Sequence, residues 1–368
     1  MPSTPLTIDE LETPALTVDM DIVEANASRM ASYAQAHGLR VRPHTKTHKI
    51  PALAKLQLAS GCTGITVAKA GEAEVMHGAG LHDILVAYPI VGDSKLERLA
   101  HLSREARIAI AVDSDSALDA MAAAAQAAGT VLSILVEIDV GMRRCGVGSS
   151  AEAVRLAQRI DSTAGIRFAG IQLYPGHIWA PPGEQSEPLR RVSEQLGETL
   201  DALAQHGLHA ETVSGGSTPT AMQSHLVAGL TEIRPGTYLF NDRNTIGVGA
   251  CTLADCALRV IATVVSVAVP GRAIVDAGSK TFSSDRWISG DGGFGLIAER
   301  PELLIESMSE EHGHLKLSAE DEPLRIGERL SIVPNHVCAC VNLHNRIWYH
   351  RKGIIEGFWT VEGRGRVA

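Results

Sequence analysis

A cluster of basic side chains stands out in this acidic chain, in the stretch RPHTKTHK at residues 42–49. Its basic members are Arg42, His44, Lys46, His48 and Lys49. Five cationic groups this close repel one another if all are charged, so at least one should be neutralised or used in chemistry. A neutral lysine is a nucleophile toward carbonyl groups, which makes Lys46 the candidate for covalent chemistry. The alternative is that Lys46 and Lys49 are ordinary solvated lysines.

A second stretch, SGGSTPT at 214–220, has the composition of a phosphate site. Small residues let backbone N–H groups approach an anion, and hydroxyl groups add further donors. The stretch is therefore a candidate phosphate site. An ordinary glycine turn is the alternative. A lysine nucleophile combined with a phosphate site suggests pyridoxal phosphate, held by Lys46 as a Schiff base.

A third stretch, PNHVCACVNLHN at 334–345, combines imidazole and thiol groups. His336, Cys338 and Cys340 are spaced by two residues, so a strand would direct all three to one face. Imidazole and thiolate suit zinc or a similar divalent ion, and two protein ligands would leave open positions for catalysis. The alternative is that these cysteines are small buried hydrophobic residues.

The pattern of apolar runs predicts the scaffold that positions these groups. Strand-like runs lie at 41–45, 64–68, 83–89, 108–114, 132–139, 168–174, 211–216 and 231–238. Helix-like stretches lie between them, at 71–80, 94–106, 115–128, 151–160 and 188–207. Such alternation favours a parallel sheet, and eight strands close a (β/α)8 TIM-type barrel. A doubly wound open sheet is the main rival, although no Gly-x-Gly-x-x-Gly follows the first strand.

After residue 250 the runs are strand-like with little helix, which predicts a separate C-terminal, mostly-β domain. The expected boundaries are 20–248 for the barrel and 1–19 plus 249–368 for the β domain, which carries the imidazole–thiol motif. In the barrel, chemistry is expected at the carboxyl ends of the strands. Arg42 and His44 should share one strand face with Lys46 and line its pocket. His48 and Lys49 should lie past the strand, in solvent.

Composition limits the function classes. The formal net charge is -9 and the sequence pI about 5.9, so a basic footprint for nucleic acid is missing. No apolar run is long enough to span a bilayer, and the N-terminal sequence does not resemble a signal peptide. Six cysteines are too sparse for a disulfide scaffold in 368 residues. We therefore expect a cytoplasmic enzyme that acts on a small molecule.

A set of motifs, in order from about residue 11 to the C-terminus, resembles the D-threonine aldolase / D-serine dehydratase family. The motifs are LETPALTVD, RPHTKTHK, GITVAKAGEAE, DILVAYP, VEIDVGMRRCGV, SGGSTPT, TEIRPGTY, IVDAGSK, EEHG and PNHVCACVNLH. Members of this family are metal-dependent pyridoxal phosphate enzymes of fold type III, with an alanine-racemase-like fold. Their substrates are D-amino acids, and their two-domain architecture implies a homodimer in which each C-terminal domain faces the partner's barrel mouth.

The resemblance implies roles for individual residues. Lys46 would carry the cofactor, and Tyr238 would lie near its phosphate. The residues that would hold the phosphate are Gly215, Gly216, Ser217 and Thr218. Tyr174 would lie close to the pyridine ring, and Arg144 matches an arginine of the family's active site. The metal ligands would be His336 and Cys338, with zinc, manganese or magnesium as the ion.

Three features depart from one or other branch of the family. The pair His336 and Cys338 resembles dehydratases, since aldolases carry His-x-Asp there, and GSTPT also leans toward dehydratases. The VNLH that follows resembles aldolases. The histidine expected next to the strand-six tyrosine is replaced by Pro175, so His177 becomes the candidate base from a shifted position.

Two lyase reactions remain open on this chemistry. If a base, His177 or a metal-bound hydroxide, takes the β-hydroxyl proton, the Cα–Cβ bond breaks to give glycine and an aldehyde. If Lys46 removes the α proton, the hydroxyl group leaves and a keto acid and ammonia result. We predict the D-threonine aldolase type, with D-serine or D-threo-3-hydroxyaspartate dehydratase as the alternative. A non-catalytic pyridoxal phosphate carrier and an amino-acid racemase are more remote alternatives.

Overall fold

The structure is a computed structural model that describes residues 6–290 and 292–368. The chain forms two compact units. One comprises Arg29–Gly236 with Gly365–Ala368, and the other comprises Thr237–Arg364 with the N-terminal residues up to Ser28. The domain boundaries drawn from the sequence stay a prediction.

The strands and helices of the first unit follow the alternation in the sequence. They are preceded by strand β1 (Ala15–Asp19) and helix α1 (Met20–Ala36). The strands are β2 (Arg40–Val41), β3 (Ile65–Val67), β4 (Asp83–Val86), β5 (Arg107–Val112), β6 (Leu132–Ile138), β7 (Ile166–Leu173), β8 (Thr212–Gly215) and β9 (Glu232–Ile233). The helices between them are α2 (Pro51–Ala59), α3 (Ala70–Gly78), α4 (Asp93–Leu102), α5 (Asp115–Ala128), α6 (Ser150–Asp161) and α7 (Ser186–Gln205).

These strands form one parallel sheet in the order β2-β9-β8-β7-β6-β5-β4-β3. The sheet closes on itself because the segment after β2 also bonds to β3. There the Thr66 N–H donates to the Pro43 carbonyl at 2.8 Å, and His44 bridges Thr66 in parallel. The predicted (β/α)8 barrel is therefore confirmed.

Helix α5 shows how the alanine-rich stretches cover this sheet. Its buried positions recur at helical spacing and are Ala117, Leu118, Met121, Ala122, Ala125 and Ala128. Such spacing gives one apolar stripe along the helix, and the small side chains let the helix pack close to its neighbours. The helix ends at Gly129, whose φ of 65° is the left-handed conformation that glycine adopts without steric strain.

A glycine in β7 sets the register of the strands that reach the barrel mouth. The pairing of β6 with β7 skips one residue, because Ile134 faces Phe168 but Leu135 faces Gly170. Gly170 has φ 140°, and a Cβ there would lie 1.9 Å from the Thr212 carbonyl oxygen. A side chain is excluded at this position, so only glycine allows this bulge and the strand register that follows it.

The second unit is mostly β-sheet, as predicted. Its further strands are β10 (Leu258–Ser266), β11 (Arg272–Val275), β12 (Leu296–Ile297), β13 (Leu304–Met308), β14 (Gly313–Lys316), β15 (Arg329–Val333), β16 (Arg346–Arg351) and β17 (Ile354–Thr360). The short helices are α8 (Arg243–Gly247), α9 (Ser279–Phe282) and α10 (Val337–Leu343). Strand β1 belongs here, since it pairs antiparallel with β10 and parallel with β16.

One prediction for this unit is wrong. The imidazole–thiol motif was expected to be a strand, but Val337–Leu343 is helix α10. His336 is the residue that caps its N-terminus, so His336, Cys338 and Cys340 do not share one strand face. In the described ranges, no helix combines the length and apolar character needed to cross a membrane.

Candidate active site in the barrel

A cavity of about 410 Å³ opens at the carboxyl ends of the barrel strands. The predicted site residues that line it are His44, Lys46, Arg144, Tyr174 and Gly216. These come from the segments after β2, β6, β7 and β8, which are far apart in sequence. The barrel therefore brings the lysine nucleophile and the glycine-rich stretch to one concave surface, where ligand sites of this fold lie.

Lys46 reaches this cavity from a short 3-10 helix, Thr45–Thr47, rather than from a strand. His44 caps that helix, with its Nδ1 3.5 Å from the Lys46 N–H. Burial and the charges of Lys46 and Arg234 hold the pKa of His44 well below its usual value. His44 is thus an uncharged ring beside Lys46. The expected alternation of three residues on one strand face is wrong, since β2 ends at Val41.

Arg42 is neutralised inside the barrel and does not line the cavity. Its Nη1 lies 2.6 Å from Asp83 Oδ1, and its Nε lies 3.0 Å from Glu232 Oε1. The same Glu232 oxygen accepts from the Ser214 hydroxyl at 2.6 Å. Burial disfavours the charged form of Arg42, but the two carboxylates outweigh burial and raise the pKa of Arg42. The network also ties β8 to β9 below the cavity mouth.

His48 and Lys49 are buried, so the expectation that they are solvated is wrong. Lys49 pairs with Glu72, with Nζ 3.1 Å from Oε1. His48 bonds through Nε2 to Gln57 Oε1 at 3.1 Å and accepts the Ile50 N–H at Nδ1. Burial lowers the pKa of His48 to about 4. The charge repulsion expected in this stretch is therefore relieved in two ways. Arg42 and Lys49 form ion pairs with carboxylates, and the imidazoles of His44 and His48 are neutral.

The glycine-rich stretch begins where β8 ends. Gly215, Gly216 and Ser217 are buried, and Gly216 has φ 83°. A Cβ on Gly216 would lie 3.2 Å from the Cβ of Ile233, so a larger residue would crowd the floor of this turn. Thr218 Oγ1 accepts the Gly236 N–H at 3.2 Å. The turn presents backbone to the cavity at Gly216, as a phosphate site requires.

The cavity residues that were not singled out from the sequence include Glu137, Gln172 and Arg234. Gln172 donates to Glu137 at 3.1 Å. Burial raises the pKa of Glu137, and the positive charges of Arg234 and Arg144 oppose that rise. The available signal was a polar residue inside an apolar strand, because such a residue in a barrel points to the interior or the mouth.

Arg234 carries an unpaired buried donor. Its Nη2 donates to the Leu173 carbonyl at 2.9 Å, while its Nη1 has no hydrogen-bond partner among the described residues. Burial lowers the pKa of Arg234 to about 10. An unpaired buried guanidinium nitrogen is costly, so its position at a cavity indicates an acceptor that binds there.

Of the other predicted barrel residues, Arg144 and Tyr174 line the cavity, whereas His177 does not. Arg144 stacks on Tyr174, with Cζ 4.7 Å from the ring centroid. His177 is exposed and does not line the cavity, and its ring lies against Gly141. Lys69 is a further cation that lines the cavity and was not predicted from the sequence; its Nζ lies 3.5 Å from the centroid of the Tyr88 ring.

In the β unit, His336 and Cys338 come together despite the change from strand to helix. The neighbouring Cys338 and the hydrogen bond to Asp242 hold the pKa of His336 well above its usual value. Thr237 Oγ1 lies 3.8 Å from Cys338 Sγ. Imidazole and thiolate are donors that suit a zinc-like ion, whose binding would displace a proton. Tyr238, predicted near the cofactor phosphate, is buried in the 3-10 helix Thr237–Leu239 of this unit.

Cys340 is separate from that pair. Its Sγ donates to the Thr281 carbonyl at 3.2 Å, and burial raises the pKa of its thiol. Within residues 6–290 and 292–368, no group of three or more His, Cys, Asp or Glu side chains is arranged to hold a metal ion. A metal at His336 and Cys338 would therefore have two protein ligands and open positions.

Comparison with known proteins agrees with the fold. Residues 18–244 match the family model of the alanine racemase N-terminal domain, and residues 257–350 match that of a serine dehydratase domain. The chain is 34% identical to D-threonine aldolase of Arthrobacter sp. over 96% of this chain and 93% of that one. It is 35% identical to D-threo-3-hydroxyaspartate dehydratase of Delftia sp. (strain HT23) over 90% and 92%.

A solved structure is similar over its whole length. D-threonine aldolase from Filomicrobium marinum superimposes with a TM-score of 0.91 at 34% identity, covering 100% of both chains. The matches span both units, and the sequence identity is well above the level at which only a fold is shared. The chain belongs to the D-threonine aldolase / D-serine dehydratase family of pyridoxal-phosphate-dependent lyases with the alanine-racemase-like fold.

Proposed function

We propose that this protein is a lyase of the D-threonine aldolase type, which splits the Cα–Cβ bond of D-3-hydroxy amino acids to give glycine and an aldehyde. The observation that carries the proposal is the barrel cavity, where Lys46, the Gly216 turn and the unpaired Arg234 donor meet. The similarity to two D-threonine aldolases over nearly the whole chain supports this choice.

The cavity fits pyridoxal phosphate. Lys46 supplies the amine for its carbonyl carbon, the turn at Gly215–Thr218 supplies backbone and hydroxyl donors for its phosphate, and Arg234 supplies a donor for an acceptor of its ring. We assign Tyr174 and the neutral His44 to the walls around the ring. When bound, the cofactor supplies an electron sink for negative charge that develops at the substrate's α carbon.

The chain's own groups then bind and orient the substrate. The cavity is lined by four cations, Lys46, Lys69, Arg144 and Arg234, against one carboxylate, Glu137. This excess of positive charge attracts the carboxylate of an amino acid and the phosphate of the cofactor. Among the lining groups, we assign proton exchange with the substrate to Lys46 and Tyr174. The exposed His177 is not in a position that supports its predicted role as the base.

A divalent ion at His336 and Cys338 is part of the proposal. The thiolate favours zinc over manganese or magnesium, which prefer oxygen ligands. When bound, such an ion supplies Lewis-acid polarisation of a hydroxyl group. The solved structure of a Cys-to-Ala variant of a D-threo-3-hydroxyaspartate dehydratase, in a metal-free form, supports a metal in that relative.

A dehydratase is the second candidate, and one observation favours it. Cys338 stands beside His336, where the aldolase branch carries an aspartate, and the identity with the Delftia dehydratase is 35%. In that case Lys46 would remove the α proton, and the hydroxyl group would leave as water to give a keto acid and ammonia.

A product assay separates these reactions. Purified protein with pyridoxal phosphate and Zn²⁺ or Mn²⁺ is given D-threonine, D-serine or D-3-hydroxyaspartate, and glycine, aldehyde, keto acid and ammonia are measured. We expect glycine and aldehyde in equal amounts. Ammonia without glycine would overturn the aldolase proposal in favour of the dehydratase, and no turnover of any substrate would leave a carrier or a racemase.

Matched lysine variants link that activity to the cavity. Lys46→Ala should abolish turnover, because the amine that holds the cofactor is gone. Lys55→Ala is the control, since Lys55 is an exposed residue of α2. Equal loss in both variants would remove Lys46 from the site.

The family resemblance also carries two proposals about the protein's state. We expect a homodimer, and the exposed apolar residues Ile354 and Phe358 on β17 are consistent with a covered surface. Light scattering on the purified protein tests this, and a monomer would contradict it. The expected cytoplasmic location is tested by cell fractionation.

A further inference from the structure

A buried carboxylate, Asp242, holds His336 in place. The Asp242 side chain is 1% exposed, and its Oδ2 lies 3.1 Å from His336 Nδ1. The same oxygen accepts the Val337 N–H at 3.2 Å. Its Oδ1 accepts the Thr245 N–H at 2.9 Å, which caps helix α8. One carboxylate thus fixes the start of α8, the start of α10 and one ring nitrogen.

This arrangement decides which nitrogen of His336 is available to a ligand. A carboxylate is an acceptor only, so Nδ1 must carry a proton and donate it to Asp242. Nε2 is then the nitrogen with a free lone pair once the ring is neutral. The Cys338 thiol interacts with the same imidazole.

We propose that Asp242 is the positioning residue of the metal site, an inference that rests on the proposed binding of a divalent ion by His336 and Cys338. Asp242 does not bind the ion, because both of its oxygens are engaged by N–H donors of the chain. It keeps the proton on Nδ1 and holds the ring in the orientation that presents Nε2. A carboxylate behind a ligating histidine commonly has this effect in metal sites.

The substitution Asp242→Asn separates the charge from the shape. A carboxamide has one oxygen and one NH2 group, whereas Asp242 accepts on both oxygens. The NH2 group must therefore face an N–H donor, either that of Thr245 or those of Val337 and His336. The charge-assisted hydrogen bond to the imidazole is lost in either orientation.

Thr245→Val is the matched control. It removes the Thr245 hydroxyl, which accepts from the Asp242 N–H at 2.8 Å and lies 3.1 Å from Asp242 Oδ1. It leaves the contact between Asp242 and His336 intact. A purely structural role of Asp242 as a helix cap predicts that both variants behave alike.

The test is the Kd for Zn²⁺, measured on the full-length holoenzyme by competition with a chromogenic chelator. Asp242→Asn should weaken Zn²⁺ binding by about 10–100-fold. The Kd of Thr245→Val for Zn²⁺ should stay within about twofold of that of the unchanged protein. This should hold even if Thr245→Val lowers the melting temperature as much as Asp242→Asn does. Zn²⁺ binding by Asp242→Asn within threefold of the unchanged protein, or an equal loss in the control, would overturn the proposal.

A second measurement works on the unchanged protein, should Asp242→Asn fail to fold. In ¹⁵N-histidine spectra, one of the fifteen histidines is assigned to His336 by its loss in His336→Gln. We expect a protonated Nδ1 and a Zn²⁺-induced shift at Nε2. Zn²⁺ on Nδ1 overturns the role of Asp242 alone, whereas no Zn²⁺ effect on His336 overturns the metal site itself.

Discussion

His48 makes the stability of the barrel depend on pH. Burial lowers its pKa from a usual value of 6.5 to about 4 in the folded protein. The unfolded chain therefore binds a proton below pH 6.5 that the folded protein does not take up until about pH 4. Folding stability is lost as the pH falls through this window, and the loss from His48 stops below pH 4.

The size of the effect follows from the two pKa values. Between pH 7 and pH 5, the unfolded chain gains about 0.7 of a proton at this site and the folded protein about 0.1. Integration of the difference gives a loss of about 2 kcal/mol in the free energy of unfolding. His44 is lowered in the same direction, so the whole protein should lose more than His48 alone contributes.

Replacement of His48 by glutamine isolates the contribution of His48 to the pH dependence of the free energy of unfolding. A glutamine amide can still donate to Gln57 Oε1 but does not titrate, so the variant should lose about 2 kcal/mol less than the unchanged protein between pH 7 and pH 5. Urea unfolding at the two pH values measures both differences. Parallel losses in His48→Gln and the unchanged protein would refute the neutral, buried state of this histidine.

Three further changes probe the scaffold and the site. Glu232→Ala leaves Arg42 buried with only Asp83 as a partner, and should lower the free energy of unfolding by about 3 kcal/mol in urea titrations. Gly170→Ala places a Cβ against the strand backbone and should destabilise the barrel by at least about 3 kcal/mol in the same assay. Arg234→Met removes the donor whose Nη1 is unpaired, and should weaken pyridoxal phosphate binding about tenfold or more in equilibrium dialysis.

Controls keep these outcomes specific. Gly183 has open space around its Cβ position, so Gly183→Ala should change stability by less than about 0.5 kcal/mol. Lys316→Met, on β14 of the other unit, should leave cofactor affinity unchanged. If Glu232→Ala unfolds no more easily than the unchanged protein, the buried network does not stabilise the barrel. Unchanged cofactor affinity in Arg234→Met would contradict the assigned acceptor.

The barrel could be predicted because its strands are apolar on both faces and alternate with amphipathic helices. The eight runs and the five helical stretches that the sequence indicates correspond to strands and helices of the structure. Lys46 and Gly216 could be predicted to lie close together because both follow apolar runs, and the carboxyl ends of such strands meet at the barrel mouth. The resemblance to a known family added the roles of Arg144 and Tyr174.

The errors have physical causes that are non-local. His48 and Lys49 look like surface residues until Gln57 and Glu72 are brought beside them by α2 and α3. Val337–Leu343 has the β-branched and small residues of a strand, but Asp242 accepts the Val337 N–H and starts a helix there. Arg234 is an ordinary charged residue in the sequence, and becomes notable only because the barrel buries it at the cavity.

The central claim is that Lys46 carries pyridoxal phosphate at the barrel mouth. Two lysines line the cavity, Lys46 and Lys69, so the claim requires that the cofactor is attached to the first and not to the second. The measurement is reduction of the holoenzyme with borohydride, followed by digestion and mass spectrometry of the lysine peptides. We expect the pyridoxyl phosphate group on the peptide that contains Lys46. Its attachment to Lys69 or to another lysine, or no attachment at all, would contradict the account.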